Sequence, residues 1–164
     1  MLRNKTRPPT FALPDEAGEM RTLDELRGDG ILVLLFLRFA ECPTTRRDLL
    51  AYANVSGRLE ALGARLVAVT ADTVEGHADL CRRLEPGFPV LSDARFEVSG
   101  RYGVYHSDET DEGPQPHGEP AVFVVDVEGE LAYSQSQTGP KGLANAAEIA
   151  LIVQYMAANS GRYW

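Results

Sequence analysis

ILVLLFLRFAECPTTRRDLL, residues 31 to 50, changes character at a single cysteine. The apolar run Ile31 to Leu37 follows Gly30 without a break, which marks a strand buried on both faces. Beyond Cys42 the period changes. Tyr52, Val55, Leu59 and Leu62 recur at three- and four-residue spacing, predicting an amphipathic helix that Gly63 is placed to end. Pro43 suits the first helical position, because the N–H it lacks would have no partner there. A thiol at such a junction faces free backbone N–H groups and the positive end of the helix macrodipole, and both favour thiolate over thiol. Arg38, Arg46 and Arg47 are close in sequence, though 46 and 47 cannot both point at the sulfur, and the Thr45 hydroxyl is in range to donate to it. The alternative reading is a structural cysteine, one of the most commonly buried residue types.

Working outward, the pattern alternates. "FALPDEAGEMRTLDELRG" reads as a β-element turning at "DEAG", then a helical turn capped by Thr22. "ARLVAVTA" is a second buried strand, and Asp72 or Thr73 caps the next helix, "VEGHADLCRRLE", which Pro86 and Gly87 end. "FPVLSD" is a short strand and "RFEVSGRYGV" a third helical piece. Residues 106–119, "HSDETDEGPQPHGE", read as an acidic surface loop, "AVFVVDVEGELAYSQ" as a hairpin turning at "VEGE", and the tail as a helix with Ile149, Ile152, Val153 and Met156 on one face. The first ten residues read as a loose arm on a single domain spanning 1–164. This order predicts an α/β fold: a mostly parallel central sheet, helices on both faces and an antiparallel hairpin at one side.

Composition narrows the function. With 164 residues, 44% hydrophobic and 24% charged, the chain fits one soluble globular domain. A net charge of −8 argues against nucleic acid as a partner. The start has no apolar segment behind its basic residues, and "ILVLLFL" is too short to span a bilayer, so the expectation is a cytoplasmic protein without a membrane role. Two cysteines do not make a disulfide scaffold, and with three scattered histidines they fall short of a metal site. If the thiols act, they act by redox chemistry or nucleophilic attack.

Several segments together resemble the peroxiredoxin (alkyl hydroperoxide reductase/thiol-specific antioxidant) family of thioredoxin-fold proteins, over roughly residues 8–158. They are "FALPDEAGEMRTLDEL", "VLLFLRFAECPTTRRDL", "ARLVAVTADTVEGHADLCRRLEPGFPVLSD", "RYGVY" and "PAVFVVDVEGELAYS". "FPVLSD" followed by "YGV" is the most specific part. The resemblance implies a thioredoxin-like fold with a central mixed sheet. It also implies a thiol peroxidase acting on small hydroperoxides, with Cys42 as the peroxidatic nucleophile that becomes a sulfenic acid. A thioredoxin-like or other thiol reductant would supply electrons, and no cofactor is needed. Some relatives carry a resolving cysteine at the point of Cys81. That pairing requires local unwinding, since a disulfide tolerates Cα separations of only up to ~7 Å. Cys81 also lies on the helical stripe His77, Leu80, Cys81, Leu84, where a small hydrophobe fits equally well. Family members commonly pair as homodimers, although no stretch here identifies an interface.

The chain departs from the family around the cysteine. "RFAE" precedes Cys42 where the family has a longer segment with a proline and a hydroxyl residue; Arg38 and Phe39 stand in those places. The family's arginine near the late strand is missing from "GEPAVFVVD". Pro120 there resembles the cis-proline of thioredoxin folds, with a trans turn proline as the alternative. Arg38 is the candidate to replace the lost arginine, a solvated strand-end charge being the alternative. Histidines 77, 106 and 117 are expected at the surface or in loops. Two functional readings follow: a peroxidase using Cys42, Cys81, Thr45 and Arg38, or a redox-inactive thioredoxin-fold module that binds another protein. A disulfide oxidoreductase is disfavoured, because Thr45 stands where its second thiol would be.

Overall fold

A computed structural model describes residues 2–110, 113–139 and 143–164. Strands β1 (Ala12–Pro14) and β2 (Met20–Thr22) pair antiparallel around the expected turn. There Asp15 Oδ1 accepts from the amides of Ala17 (2.9 Å) and Glu19 (3.0 Å). Thr22 then caps helix α1 (Leu23–Arg27) through a reciprocal bond with Glu25. Strand β3 (Ile31–Phe36) is buried at every position and leads through the cysteine loop into α2 (Pro43–Ala61). Next come β4 (Ala64–Thr70), α3 (Val74–Leu84), β5 (Val90–Ser92) and α4 (Glu97–Arg101). A ribbon of β6 (His106–Thr110) and β7 (Gly113–Gly118) precedes β8 (Ala121–Val125), β9 (Leu131–Ser136) and helix α5 (Ala146–Ala158).

The five-stranded sheet has the order β5-β4-β3-β8-β9. β3 pairs parallel with β4 and β4 with β5, while β3–β8 and β8–β9 are antiparallel. The sheet is therefore mixed, half parallel rather than mostly so, because the chain enters β8 at the end of the sheet where β3 finishes, with Ala121 opposite Phe36. Alternation along β3 divides the core. Ile31, Val33 and Leu35 face one cluster with Leu49, Tyr52 and Leu59 of α2 and Ile149 and Val153 of α5. Leu32, Leu34 and Phe36 face the other, with Leu23, Leu26, Val98, Tyr102 and Phe123. Each such large side chain contributes about 1.5–3 kcal/mol on burial. Gly30 is required where β3 begins, since a Cβ there would run into the Gly63 carbonyl oxygen.

Within the acidic stretch 106–119, residues 106–110 and 113–118 form the β6–β7 ribbon rather than a loop, with His106 opposite Gly118 and Ser107 opposite His117; residues 111 and 112 lie outside the described residues. The turn chemistry of Gly and Pro gave no strand signal, and the ribbon is held by its cross-strand ladder instead. The N-terminal residues are tied to the sheet: Lys5 N donates to Leu131 O and Leu131 N to Thr6 O, both at 2.9 Å. Pro120 is in the trans form; no peptide bond is cis among the described residues. No helix among the described residues is long and apolar enough to cross a membrane.

Candidate active site

Cys42 is the N-cap of α2, with Pro43 beginning the helix, so the strand-to-helix junction forms where the change of period places it. The residue is 5% exposed and its thiol is free. The surroundings differ from the expectation in one respect. The sulfur makes no capping bond to the helix amides, because Thr45 N (3.0 Å) and Arg46 N (3.4 Å) both donate to the carbonyl of Cys42 itself. What meets the sulfur is Arg38, whose Nη1 donates to Sγ at 3.2 Å. A guanidinium N–H against sulfur becomes a charge-assisted contact once the sulfur is ionised.

Arg38 is not a solvated strand-end charge. It is 8% exposed, and two further nitrogens are engaged: Nη2 contacts His117 Nε2 at 2.7 Å, and Nε forms an ion pair with Glu119 Oε2 at 3.3 Å. The sheet itself sets this up. β3 and β8 pair Leu32 with Val125 through to Phe36 with Ala121, and the same antiparallel register carried two residues further sets Arg38 opposite Glu119. His117 and Glu119, two residues apart, share a face of the extended chain. The Phe39 ring packs edge-on to His117, with centroids 5.4 Å apart, and lies 5.7 Å from the Arg38 guanidinium carbon.

Of the residues expected at the site, Cys42, Arg38 and Thr45 come together at one end of the sheet. Thr45 lies in the first turn of α2, is 1% exposed, and its hydroxyl has no hydrogen-bond partner among the described residues. Arg46 and Arg47 are exposed, and Arg47 pairs with Asp48 at 3.6 Å.

Cys81 is placed differently. It lies in the middle of α3, packed against the α2–α5 core cluster. Burial, and then the negative charges of Glu16 and Asp72, push its thiol up to about 11. The start of α3 is tied to the cysteine loop, since the Ala40 amide donates to Asp72 Oδ2 at 2.8 Å. Burial raises the Asp72 carboxyl above its usual range, and the Ala40 bond opposes this. Cys81 then lies about 10 Å further along the axis of α3, at ~1.5 Å per residue from Val74.

Two histidines expected at the surface are buried instead. His77 is 0% exposed, bonds through Nδ1 to Thr70 Oγ1 at 2.8 Å, and is held below the usual histidine range by burial. His117 is 1% exposed and belongs to the cysteine cluster. His117 and Glu119 are the site residues that reading the sequence missed. Their signal was the two-residue spacing just ahead of a buried strand, which has meaning only once the pairing register with β3 is known.

With the geometry in view, comparison with known proteins decides the family: the model of the AhpC/TSA family matches residues 5–134. The chain belongs to the AhpC/TSA family. Among curated relatives, the chain is similar to the "Putative peroxiredoxin bcp" of Coxiella burnetii, 29% identical over 125 residues that cover 76% of this chain and 82% of that protein. Among solved structures, it resembles the peroxidoxin BcpB of Mycobacterium tuberculosis, with a TM-score of 0.78, 23% identity, and coverage of 93% of this chain and 96% of the other. A peroxiredoxin 6 variant of Arenicola marina superposes with a TM-score of 0.86 at 20% identity, covering 98% and 76%. These likenesses establish the thioredoxin-like fold of an AhpC/TSA protein; in this chain a buried arginine meets the cysteine at the strand-to-helix junction, and a histidine and a glutamate meet the arginine.

Proposed function

We propose that this AhpC/TSA protein is a thiol-dependent peroxidase in which Cys42 reduces small hydroperoxides. The observation that carries the reading is the Arg38 Nη1 to Cys42 Sγ contact at 3.2 Å inside a nearly closed site. The Cys42 thiolate attacks the terminal peroxide oxygen; an S–O bond forms as the O–O bond breaks. The departing alkoxide takes up a proton and leaves as alcohol or water, and Cys42 is left as sulfenic acid. Arg38 stabilises the negative charge that moves from sulfur to the leaving oxygen. The Thr45 hydroxyl, buried without a partner three residues after Cys42, is the second candidate donor to those oxygens. With the sulfur-bearing residue only 5% exposed, the site favours a small, unencumbered hydroperoxide.

Resolution by Cys81 belongs to the same reading. Its thiolate attacks the sulfenic sulfur, water departs and a disulfide forms, which a thioredoxin-like or other thiol reductant reopens. Unwinding of α3 would release Cys81 from its packing, expose a thiol that burial holds protonated, and let it reach Cys42. A cytoplasmic setting, expected from the sequence, and pairing of two copies, expected from the family resemblance, complete the proposal. The binding-module alternative rested on the missing family threonine and arginine, and Arg38 on the sulfur speaks against the second of these.

The test is a coupled assay with thioredoxin, thioredoxin reductase and NADPH, to which a small hydroperoxide is added. Wild type is expected to consume NADPH and Cys42→Ser to consume none. Cys81→Ser is expected to lose turnover with thioredoxin while keeping it with a small dithiol that reduces the sulfenic acid directly. Equal rates for wild type and Cys42→Ser would refute the peroxidase reading.

A further inference from the structure

The proposed chemistry accounts for Arg38 and for the carboxylate that balances it, but not for a fully buried imidazole beside them. Glu119, 2% exposed, supplies a counter-charge to a guanidinium out of water. His117 brings no charge that this pair lacks. Its ring, however, is fixed in one tautomer. Nδ1 lies 2.5 Å from the Gln115 carbonyl oxygen, an atom that only accepts, so Nδ1 carries the proton. Arg38 Nη2 only donates and lies 2.7 Å from Nε2, so Nε2 accepts there and carries no proton. Glu119 Oε1, which only accepts, lies farther away at 2.9 Å and would bond Nε2 only in a doubly protonated ring.

A guanidinium is a rigid plane, and holding two of its nitrogens fixes the direction of the third. The Glu119 contact at 3.3 Å sets a charge beside Nε without a hydrogen bond and leaves the fork free to swing about that point. The second hold is on Nη2, and it comes from His117. We propose that His117 is a positioning residue for the peroxidase reaction: its Nε2 holds Arg38 Nη2 so that the Nη1 N–H stays on Cys42 Sγ. This inference rests on the Cys42–Arg38 reading given above.

The experiment measures the single-turnover rate constant for Cys42 oxidation by a small hydroperoxide in wild type, His117→Leu, His117→Gln, Arg38→Met and the double variant Arg38→Met/His117→Leu. Loss of a bond to a charged group predicts a decrease of about tenfold or more in His117→Leu. In His117→Gln the side-chain carbonyl accepts from Nη2 in place of Nε2 and restores the rate to within about threefold of wild type. Because His117 acts through Arg38, adding His117→Leu to Arg38→Met lowers the rate by less than about twofold further. A full tenfold loss in the Arg38→Met background, or equal losses for Leu and Gln, overturns the inference. So does a His117→Leu rate equal to wild type while wild type is oxidised readily. A wild type that hydroperoxide does not oxidise at Cys42 overturns the peroxidase reading itself. Nitrogen-15 NMR of wild type tests the same point without any variant: the Nδ1–H tautomer of His117 is expected, and the Nε2–H tautomer contradicts the proposal.

Discussion

Arg38→Met lowers the rate constant for oxidation of Cys42 by hydroperoxide by about a hundred- to a thousandfold, the cost of removing one preorganised donor from developing charge. The effect is electrostatic. Arg38 is buried, so its contact with sulfur at 3.2 Å is weakly screened by water, and methionine keeps the bulk of the side chain while removing charge and donors together. Arg38→Lys separates the two contributions. It keeps the charge, but one ammonium cannot occupy the three places where Nη1, Nη2 and Nε meet Cys42, His117 and Glu119. Its rate is expected to fall between those of wild type and Arg38→Met. Rates are compared on folded protein under single-turnover conditions, so that a loss of stability is not read as a loss of chemistry. A methionine variant within about threefold of wild type would show that Arg38 does not assist the sulfur.

The largest effect on stability is expected at Glu119. Glu119→Leu leaves the Arg38 guanidinium buried without its carboxylate, and breaking a buried pair from one side costs about 3–5 kcal/mol. The side chains involved are 9% and 2% exposed, so water does not replace what is removed. The paired change Arg38→Met/Glu119→Leu removes both charges and is expected to recover most of that loss, because matched apolar replacement of a buried pair is close to neutral. Urea unfolding of wild type, Arg38→Met, Glu119→Leu and the double variant checks this, as a lower midpoint in Glu119→Leu that returns towards wild type in the double variant. A single variant with an unchanged midpoint would mean that Glu119 is not the counter-charge of Arg38.

How much of this was legible beforehand depended on the range of the interaction. The Gly30–Leu37 run, the helix after Pro43, the Thr22 cap and the cysteine at the junction are local, and each folds as its own residues direct. Arg38 stood at a readable place, but whether it pointed to water or to sulfur depended on residues some eighty positions away. Glu119 and His117 reach it only because β8 returns antiparallel beside β3, and the pairing that selects them is absent from either segment alone. The same limit applied to residues 106–119. Their glycines and prolines look like loop, and the ribbon is held by contacts across it. The helix amides, by contrast, were expected to hold the sulfur, and they bond the Cys42 carbonyl instead. Position at a helix start was visible in the sequence; which atom of the residue faces the amides was not.

The central claim is that the sulfur beside Arg38 is the atom that hydroperoxide oxidises. Its most direct test is to add one equivalent of a small hydroperoxide to the reduced protein, trap sulfenic acid with dimedone within the first turnover, and locate the adduct by peptide mass spectrometry. The adduct is expected on Cys42 in both wild type and Cys81→Ser, and on neither thiol of protein denatured before the peroxide is added. Labelling first on Cys81, or no labelling of native Cys42, would contradict the account.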